Sequence, residues 1–126
     1  MSVMREPPVR AVVIDDTVDI RELLAIVLTR SGMQVVGQAG DGRAGVEVVR
    51  AQRPDIVLLD LAMPVMDGVE ALPLIRELVP EARIIVLSAF SGAVTKQVLE
   101  SGADGYLMKG TPLHKIVAYL EACLDG

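Results

Sequence analysis

Three aspartates directly follow apolar segments, and they are the residues best placed to do chemistry. Asp15 and Asp16 come after Val12–Ile14, and Asp60 comes after Ile56–Leu59. Carboxylates that converge at strand ends repel one another, so their convergence calls for a cation. A hard divalent ion such as Mg²⁺ takes oxygen ligands and keeps several waters. We predict a site for Mg²⁺ (or Mn²⁺), with Asp16 and Asp60 as direct ligands, Asp15 bound through water and a loop carbonyl as a further ligand.

A hydroxyl and an ammonium follow two further apolar segments. Ser88 comes after Ile84–Leu87, and Lys109 comes after Tyr106–Met108. Lys109 can pair with a carboxylate or with a phosphoryl oxygen, and Ser88 can donate a hydrogen bond to an oxyanion. Together with a divalent ion these groups can neutralise a phosphoryl group during in-line transfer. Because aspartyl phosphate is a recognised covalent form, Asp60 is the candidate acceptor.

The spacing of the apolar residues predicts the elements that must position this chemistry. Apolar runs alternate with stretches at helical spacing, and the runs are Val9–Ile14, Val35–Val36, Ile56–Leu59, Ile84–Leu87 and Tyr106–Met108. Strands that are apolar throughout are typical of a parallel sheet covered by helices on both faces. The prediction is a doubly wound α/β domain of five strands and five helices. Ligands bind at the carboxyl ends of such strands, where the acids, Ser88 and Lys109 would gather.

Length, hydropathy and charge limit the class of protein. With 126 residues, 52% of them hydrophobic, the chain is expected to form one domain over residues 1–126, with a core over about 9–124. No apolar run approaches the ~18 residues needed to span a bilayer, and the single cysteine, Cys123, fits a reducing compartment. We therefore expect a cytoplasmic location and no membrane partner. A net charge of −5 and 2% aromatic residues argue against direct nucleic-acid binding.

The sequence resembles the receiver domain of two-component response regulators over nearly its whole length. The motifs that carry the resemblance are Ile14–Asp16 with Arg21 and Leu24, then Asp60–Gly68, Ser88–Ala89 and Tyr106–Lys109. The resemblance implies a flavodoxin-like, CheY-like fold with the strand order 2-1-3-4-5. It also implies a phosphorylation-activated signalling switch, in which phosphorylation changes the surface presented to a partner or an output domain.

The same resemblance assigns roles to the residues of the site. Asp60 would accept a phosphoryl group from a sensor histidine kinase. Ser88 would bond to the new phosphoryl oxygen, Lys109 would pair with it, and Tyr106 would swing inward when Ser88 shifts. The Mg²⁺ ligands would be Asp15, Asp16, Asp60 and the backbone carbonyl of Ala62. Such a domain is not an enzyme beyond its Mg²⁺-dependent self-phosphorylation and autodephosphorylation.

Two departures from the family pattern carry predictions. Gly110 follows Lys109 where the family usually has proline, and the segment Gly105–Thr111 resembles regulators that carry a C-terminal helix-turn-helix DNA-binding domain. The expected partner is such an output domain or a separate effector, and a phosphorylation-dependent homodimer through the last helix and strand is an additional expectation. Neither Ala62 nor Phe90, which flank the site, can orient a water by hydrogen bonding, so we predict a long-lived phosphoryl group.

Three other functions are compatible with parts of this sequence pattern. A phosphorylation-independent interaction module on the same fold would lack the acceptor, the acid pair or the lysine, all of which are present. A phosphatase of the aspartyl type would need an acid where Ala62 stands, and a nucleotide-binding or flavin domain would have a glycine-rich loop after the first strand. Asp15, Asp16 or Thr17 can also cap the following helix, and Tyr106 can be a packing residue.

Overall fold

The computed structural model describes residues 7–63, 65–89 and 93–125, which form a parallel sheet with helices on both faces. The strand order is β2-β1-β3-β4-β5, which confirms the predicted doubly wound fold. In chain order the elements are β1 (Arg10–Ile14), α1 (Val18–Arg30), β2 (Gln34–Ala39), α2 (Gly42–Gln52), β3 (Ile56–Asp60), α3 (Gly68–Leu78), β4 (Arg83–Ser88), α4 (Ala93–Glu100), β5 (Gly105–Met108) and α5 (Leu113–Asp125).

The central strands are buried on both faces because their side chains alternate between two core layers. Val57 and Leu59 of β3 pack with α2, α3 and α4, whereas Ile56 and Leu58 pack with α1 and α5. Every residue of β3 is buried, including Asp60 at its end. A carboxylate at the end of such a strand is therefore held rigidly by the core.

The edge strand β2 is longer than the sequence pattern predicts. The apolar run covers only Val35–Val36, yet the strand extends over Gln34–Ala39. Gln34 and Gln38 are exposed because β2 lies at the edge of the sheet, so its sequence lacks the continuous apolar run of a central strand. The first strand also differs slightly, since it begins at Arg10 and not at Val9.

Helix α3 contains Pro73 in its second turn. Proline is tolerated in the first turn of a helix, and farther along a helix it removes a hydrogen bond and favours a kink. A proline at this position has no amide to donate to the carbonyl of Val69, one turn earlier. The helix nevertheless continues to Leu78, because Ala71, Leu72 and Ile75 are fully buried in the core.

Two arginine side chains tie together the turns at the amino edge of the sheet. Arg10, at the start of β1, donates through Nη1 to the carbonyl oxygen of Gln52 at 2.6 Å, and its backbone amide donates to Asp55 Oδ2. Arg76, near the end of α3, donates to Asp104 Oδ2 and to the carbonyl oxygens of Val79, Pro80, Ala82 and Gly102. This guanidinium therefore links α3 to the turns that precede β4 and β5.

None of the helices in the described ranges is both long enough and apolar enough to cross a membrane.

Candidate functional site

The three aspartates meet at the carboxyl edge of the sheet. Ile14 of β1 is in register with Leu59 of β3, so the residues that follow them, Asp15 and Asp60, lie side by side. One carboxylate oxygen from each of Asp15, Asp16 and Asp60 lies within 4.8 Å of the others. Asp15 and Asp60 are 1% exposed, whereas Asp16 is exposed. The convergence expected from the strand ends is therefore present, with two acids inside and one at the mouth.

Lys109 brings the positive charge to this cluster. Its Nζ lies 3.0 Å from Asp60 Oδ2 and 3.5 Å from Asp15 Oδ2. The backbone amide of Lys109 donates to the carbonyl oxygen of Ser88 at 2.8 Å, which fixes the lysine at the junction of β4 and β5. One ammonium therefore bridges two buried carboxylates from neighbouring strands.

The pKa values of the site follow from burial and from these charges. Burial raises the pKa of Asp60 to about 6, and the negative charge of Asp15 adds to the effect; the ammonium of Lys109 and the amide of Ala62 oppose it. For Lys109, burial alone lowers the pKa, but the contacts with Asp60 and Asp15 outweigh burial and raise it. The lysine therefore stays charged at neutral pH, while the charged form of the Asp60 carboxylate is disfavoured by its surroundings.

The donor set fits a hard divalent cation. Beyond the ammonium of Lys109, no hydrogen-bond donor in the described ranges reaches Asp15 Oδ2 or Asp60 Oδ2, although both atoms are buried. Buried carboxylate oxygens without donors are strongly disfavoured unless a cation compensates them. With Asp16 at the open side, the set suits an ion that keeps several waters, such as Mg²⁺.

The turn between β1 and α1 is held at several points. The amide of Asp15 donates to the carbonyl oxygen of Ala39 at 3.0 Å, and Asp15 Oδ1 accepts the amide of Thr17 at 2.9 Å. Thr17 is the N-cap residue of α1, but its side chain makes no capping bond. Arg21 Nη1 donates to the carbonyl oxygen of Asp15 at 2.8 Å. In the sequence Arg21 stands out only as part of the motif that begins at Ile14, and the motif alone predicts no role for it.

Two glycines bind the loop after Asp60 through their backbone amides. The sequence pattern did not predict them as part of the site. The amide of Gly68 donates to the carbonyl oxygen of Leu61, and the amide of Gly42 donates to the carbonyl oxygen of Met66, both at 2.8 Å. A Cβ atom on Gly68 would overlap the carbonyl oxygen of Asp60, and one on Gly42 would overlap that of Met66. The signal in the sequence was the repeated Asp-Gly pair that begins α2 and α3.

Ser88 ends β4, the strand that pairs with β3, and Tyr106 lies on β5, which pairs with β4. Ser88 is 1% exposed and stands one residue beyond Leu87, the register partner of Asp60. Tyr106 is half-buried, and its hydroxyl donates to Met108 Sδ at 3.7 Å in an exposed position. Its inward swing stays a prediction. Phe90 lies outside the described residues.

An open groove of about 500 Å³ adjoins the acids. Asp16, Ala62 and Gln97 are among the residues that line it. Because Asp16 and Ala62 belong to the predicted metal site, the groove gives that site an approach from solvent.

A comparison with protein families decides which family this geometry represents. The family model described as the response regulator receiver domain matches residues 11–121. The chain is a response regulator receiver domain. Receiver domains bind Mg²⁺ at an acidic pocket, and the aspartate cluster lies where the family has that pocket.

Three relatives illustrate the range of the family. The chemotaxis protein CheY of Thermotoga maritima is 34% identical over 113 residues, which are 89% of this chain and 94% of that protein. The probable transcriptional regulatory protein NarL of Mycobacterium tuberculosis is 38% identical; the match covers all of this chain and 59% of NarL. A solved CheX–CheY–BeF₃–Mg²⁺ complex from Borrelia burgdorferi gives a TM-score of 0.90 at 28% identity, over 96% of this chain and 95% of that one. The receiver domain therefore resembles both single-domain and longer regulators.

Proposed function

We propose that this receiver domain accepts a phosphoryl group on Asp60 from a sensor histidine kinase in a Mg²⁺-dependent reaction. The observation that carries the proposal is the single ammonium of Lys109, which lies within 3.5 Å of both Asp15 Oδ2 and Asp60 Oδ2 beside the third acid. A buried acid with two acidic neighbours and one lysine is poorly suited to be a structural cap. It is well suited to receive a group whose negative charge a lysine and a cation can share.

Asp60, Lys109 and Ser88 would each have a separate role in the phosphoryl transfer. An oxygen of the Asp60 carboxylate attacks phosphorus in line; the new O–P bond forms as the N–P bond of the phosphohistidine breaks, and the imidazole leaves with the electron pair and takes up a proton. Lys109 Nζ moves from carboxylate to phosphoryl oxygen, and the Ser88 hydroxyl donates to another. Mg²⁺, held by Asp15, Asp16, Asp60 and the carbonyl of Ala62, supplies charge neutralisation when bound.

Phosphorylation would then act through the β4–β5 junction. The phosphoryl group adds about −1.5 to −2 charges at the end of β3, and this charge attracts Ser88 and Lys109. Because the Lys109 amide is bonded to the Ser88 carbonyl, both strands respond together, and Tyr106 moves inward. The changed surface of β5 and α5 would control an effector, a DNA-binding output domain or a second copy of the chain, as a population shift.

The proposal also covers location and turnover. We place the domain in the cytoplasm, where a kinase and an effector could reach it. We assign it no catalysis of an external substrate, because Ala62 offers only a methyl group where an aspartyl phosphatase needs a second acid. The phosphoryl group is thus a signal that the domain holds.

Incubation of the protein with Mg²⁺ and acetyl phosphate tests the acceptor assignment. We expect one added phosphoryl group by intact-mass measurement, none in Asp60→Asn, and none for the wild type in a chelator. Asp16→Asn should bind Mg²⁺ much more weakly in a titration. Equal labelling of Asp60→Asn would show that another residue is the acceptor. A folded wild type that takes up no phosphoryl group would instead favour the phosphorylation-independent interaction module.

The lifetime of the phosphoryl group is a second prediction. Since the methyl group of Ala62 cannot hold a water by hydrogen bonding, we expect slow first-order loss after the donor is removed. Ala62→Asn, which restores a side chain able to orient water, should speed the loss while the extent of labelling stays the same. Rapid loss from the wild type, or no change in Ala62→Asn, would contradict this explanation.

A further inference from the structure

Arg21 contacts the acidic site in an unusual way. It lies in the first turn of α1, half-buried, and its Nη1 donates to the backbone carbonyl oxygen of Asp15 at 2.8 Å. Throughout the described part of the chain its guanidinium forms no ion pair with a carboxylate, although three acids lie within the six residues before it. The Arg21 guanidinium therefore binds the backbone of the site and not its carboxylates.

The carbonyl that Arg21 holds belongs to the peptide that joins Asp15 to Asp16. A peptide unit is planar, so a bond to its oxygen also restricts the amide and the Cα of Asp16. The other atoms of Asp15 are already fixed, since its amide bonds to Ala39 and its Oδ1 accepts the amide of Thr17. Asp16 itself is exposed. The contact with Arg21 therefore adds to the constraints on the peptide from which Asp16 projects.

Gly40 provides the space for this arginine. A Cβ atom on Gly40 would lie 3.0 Å from Arg21 Nη1, and among the described residues no other atom beyond its chain neighbours would be within 4 Å. Gly40 directly follows Ala39, which accepts the amide of Asp15. The guanidinium thus lies between the turn after β1 and the loop after β2, and a larger residue at position 40 would press on its tip.

We propose that Arg21 is a positioning residue of the Mg²⁺ site and that Gly40, which has no side chain, leaves room for the Arg21 guanidinium. The inference rests on the proposed function, because it concerns the affinity for the ion that the site would hold. Residues that orient metal ligands from behind typically contribute 10–100-fold in metal affinity. Arg21 differs from most of them, because it orients Asp16 through the backbone.

A purely electrostatic role for Arg21 predicts the opposite change in Mg²⁺ affinity. The direction of that change therefore tests the inference. If Arg21 acted only as a positive charge near the ion, its removal would strengthen Mg²⁺ binding, because like charges repel. If it holds the Asp15–Asp16 peptide, its removal weakens binding in spite of the lost repulsion. Gly40→Ala separates the two effects further, since it keeps the charge and disturbs only the position.

The test is a Mg²⁺ titration by calorimetry of the wild type, Arg21→Met, Arg21→Lys and Gly40→Ala, each first checked by thermal unfolding. We expect about tenfold weaker binding for Arg21→Met, a smaller loss for Gly40→Ala, and partial rescue in Arg21→Lys. Arg30→Met is the matched control, because it removes the same charge from the exposed last turn of the same helix.

The outcomes separate this inference from the function on which it rests. A wild type that binds no Mg²⁺ would remove the proposed function and the inference together. A wild type that binds Mg²⁺, with Arg21→Met equally tight or tighter, would overturn the inference alone. Should Arg21→Met fail to fold, Gly40→Ala and Arg21→Lys decide: binding of Mg²⁺ as tight as in the wild type in both would refute the positioning role.

Discussion

The carboxylate of Asp60 is both buried and close to another negative charge, so its charged form is disfavoured. Asp60 is buried at the end of β3, and its pKa is raised to about 6 from an ordinary value of 3.8, first by burial and then by Asp15. Its native state therefore binds a proton more tightly than its unfolded state does. For this group, folding is most favourable below about pH 4, and stability is lost as the pH rises from about 4 to 6. At neutral pH the charged Asp60 carboxylate therefore destabilises the metal-free domain.

The first stability prediction concerns Asp60→Asn. In metal-free buffer at pH 7.5 the variant should unfold with a free energy higher than that of the wild type by about 1–3 kcal/mol, since two pKa units correspond to about 3 kcal/mol. The difference should vanish near pH 4. Urea unfolding at several pH values, with and without Mg²⁺, measures it.

The control for this prediction is Asp19→Asn, an exposed acid in the first turn of α1. It should change the free energy of unfolding by less than about 1 kcal/mol, in the unfavourable direction, because a carboxylate near a helix start is stabilising. Mg²⁺ should stabilise the wild type more than Asp60→Asn. A difference between Asp60→Asn and the wild type that grows as the pH falls would contradict the explanation.

At the scale of elements, two helices begin with the same pair of residues and for the same reasons. Asp41 and Asp67 cap α2 and α3 through the amides of Ala44 and Glu70. The glycine that follows each aspartate donates to the loop after Asp60 and approaches its backbone more closely than a side chain permits. The helix starts thus hold the loop that carries the predicted metal-ligand carbonyl of Ala62.

Gly68→Ala should therefore damage the site as well as the fold. The new Cβ would overlap the carbonyl oxygen of Asp60, so the end of β3 must shift, and we expect a loss of about 1–3 kcal/mol in the free energy of unfolding. Labelling by acetyl phosphate should slow in the fraction that remains folded. Asp67→Ala is the control, because it removes the cap at a loss of about 1 kcal/mol without crowding Asp60. Equal labelling rates in the two variants would show that the glycine is only structural.

Sequence patterns predict those parts of the fold where burial leaves a continuous signal. The central strands are apolar throughout, and the acids that interrupt this pattern at Asp15 and Asp60 mark the site because no packing argument explains them. The half-exposed strand β2 gave a shorter signal. Contacts of long side chains with backbone carbonyls, such as that of Arg21, follow no period and depend on which turns the fold brings together. The direction of the Tyr106 hydroxyl toward Met108 depends likewise on side-chain packing.

Across the whole molecule, the two edges of the sheet are built from opposite interactions. At the amino edge the guanidinium groups of Arg10 and Arg76 donate to backbone carbonyls, the Arg10 amide donates to Asp55 and Arg76 pairs with Asp104, so these two arginines have fixed partners. At the carboxyl edge the acids repel one another and share the ammonium of Lys109. We therefore expect the amino edge to contribute mainly to stability, and the carboxyl edge to respond to the proposed ion and phosphoryl group.

Arg76→Lys tests this division. Lysine can donate at most three hydrogen bonds and lacks the planar fork that reaches several turns at once, so we expect the free energy of unfolding to fall by about 2 kcal/mol. The Mg²⁺ affinity and the labelling rate should stay unchanged. Arg50 forms an exposed ion pair with Glu47 and no other within the described ranges, so Arg50→Lys should change stability by less than about 0.5 kcal/mol. A slower labelling rate in Arg76→Lys would mean that the amino edge also shapes the site.

The anchoring of Asp104 by Arg76 has a mechanical consequence. Strand β5 begins directly after Asp104, which also accepts the amide of Ile84, and it ends at Met108, beside Lys109. A strand of four residues is about 13 Å long, so a displacement of 1 Å at the lysine, with the other end fixed, becomes a rotation of about 4°. If phosphorylation draws Lys109 inward as proposed, β5 would turn about Asp104, and a partner would sense a change of angle more than a change of distance.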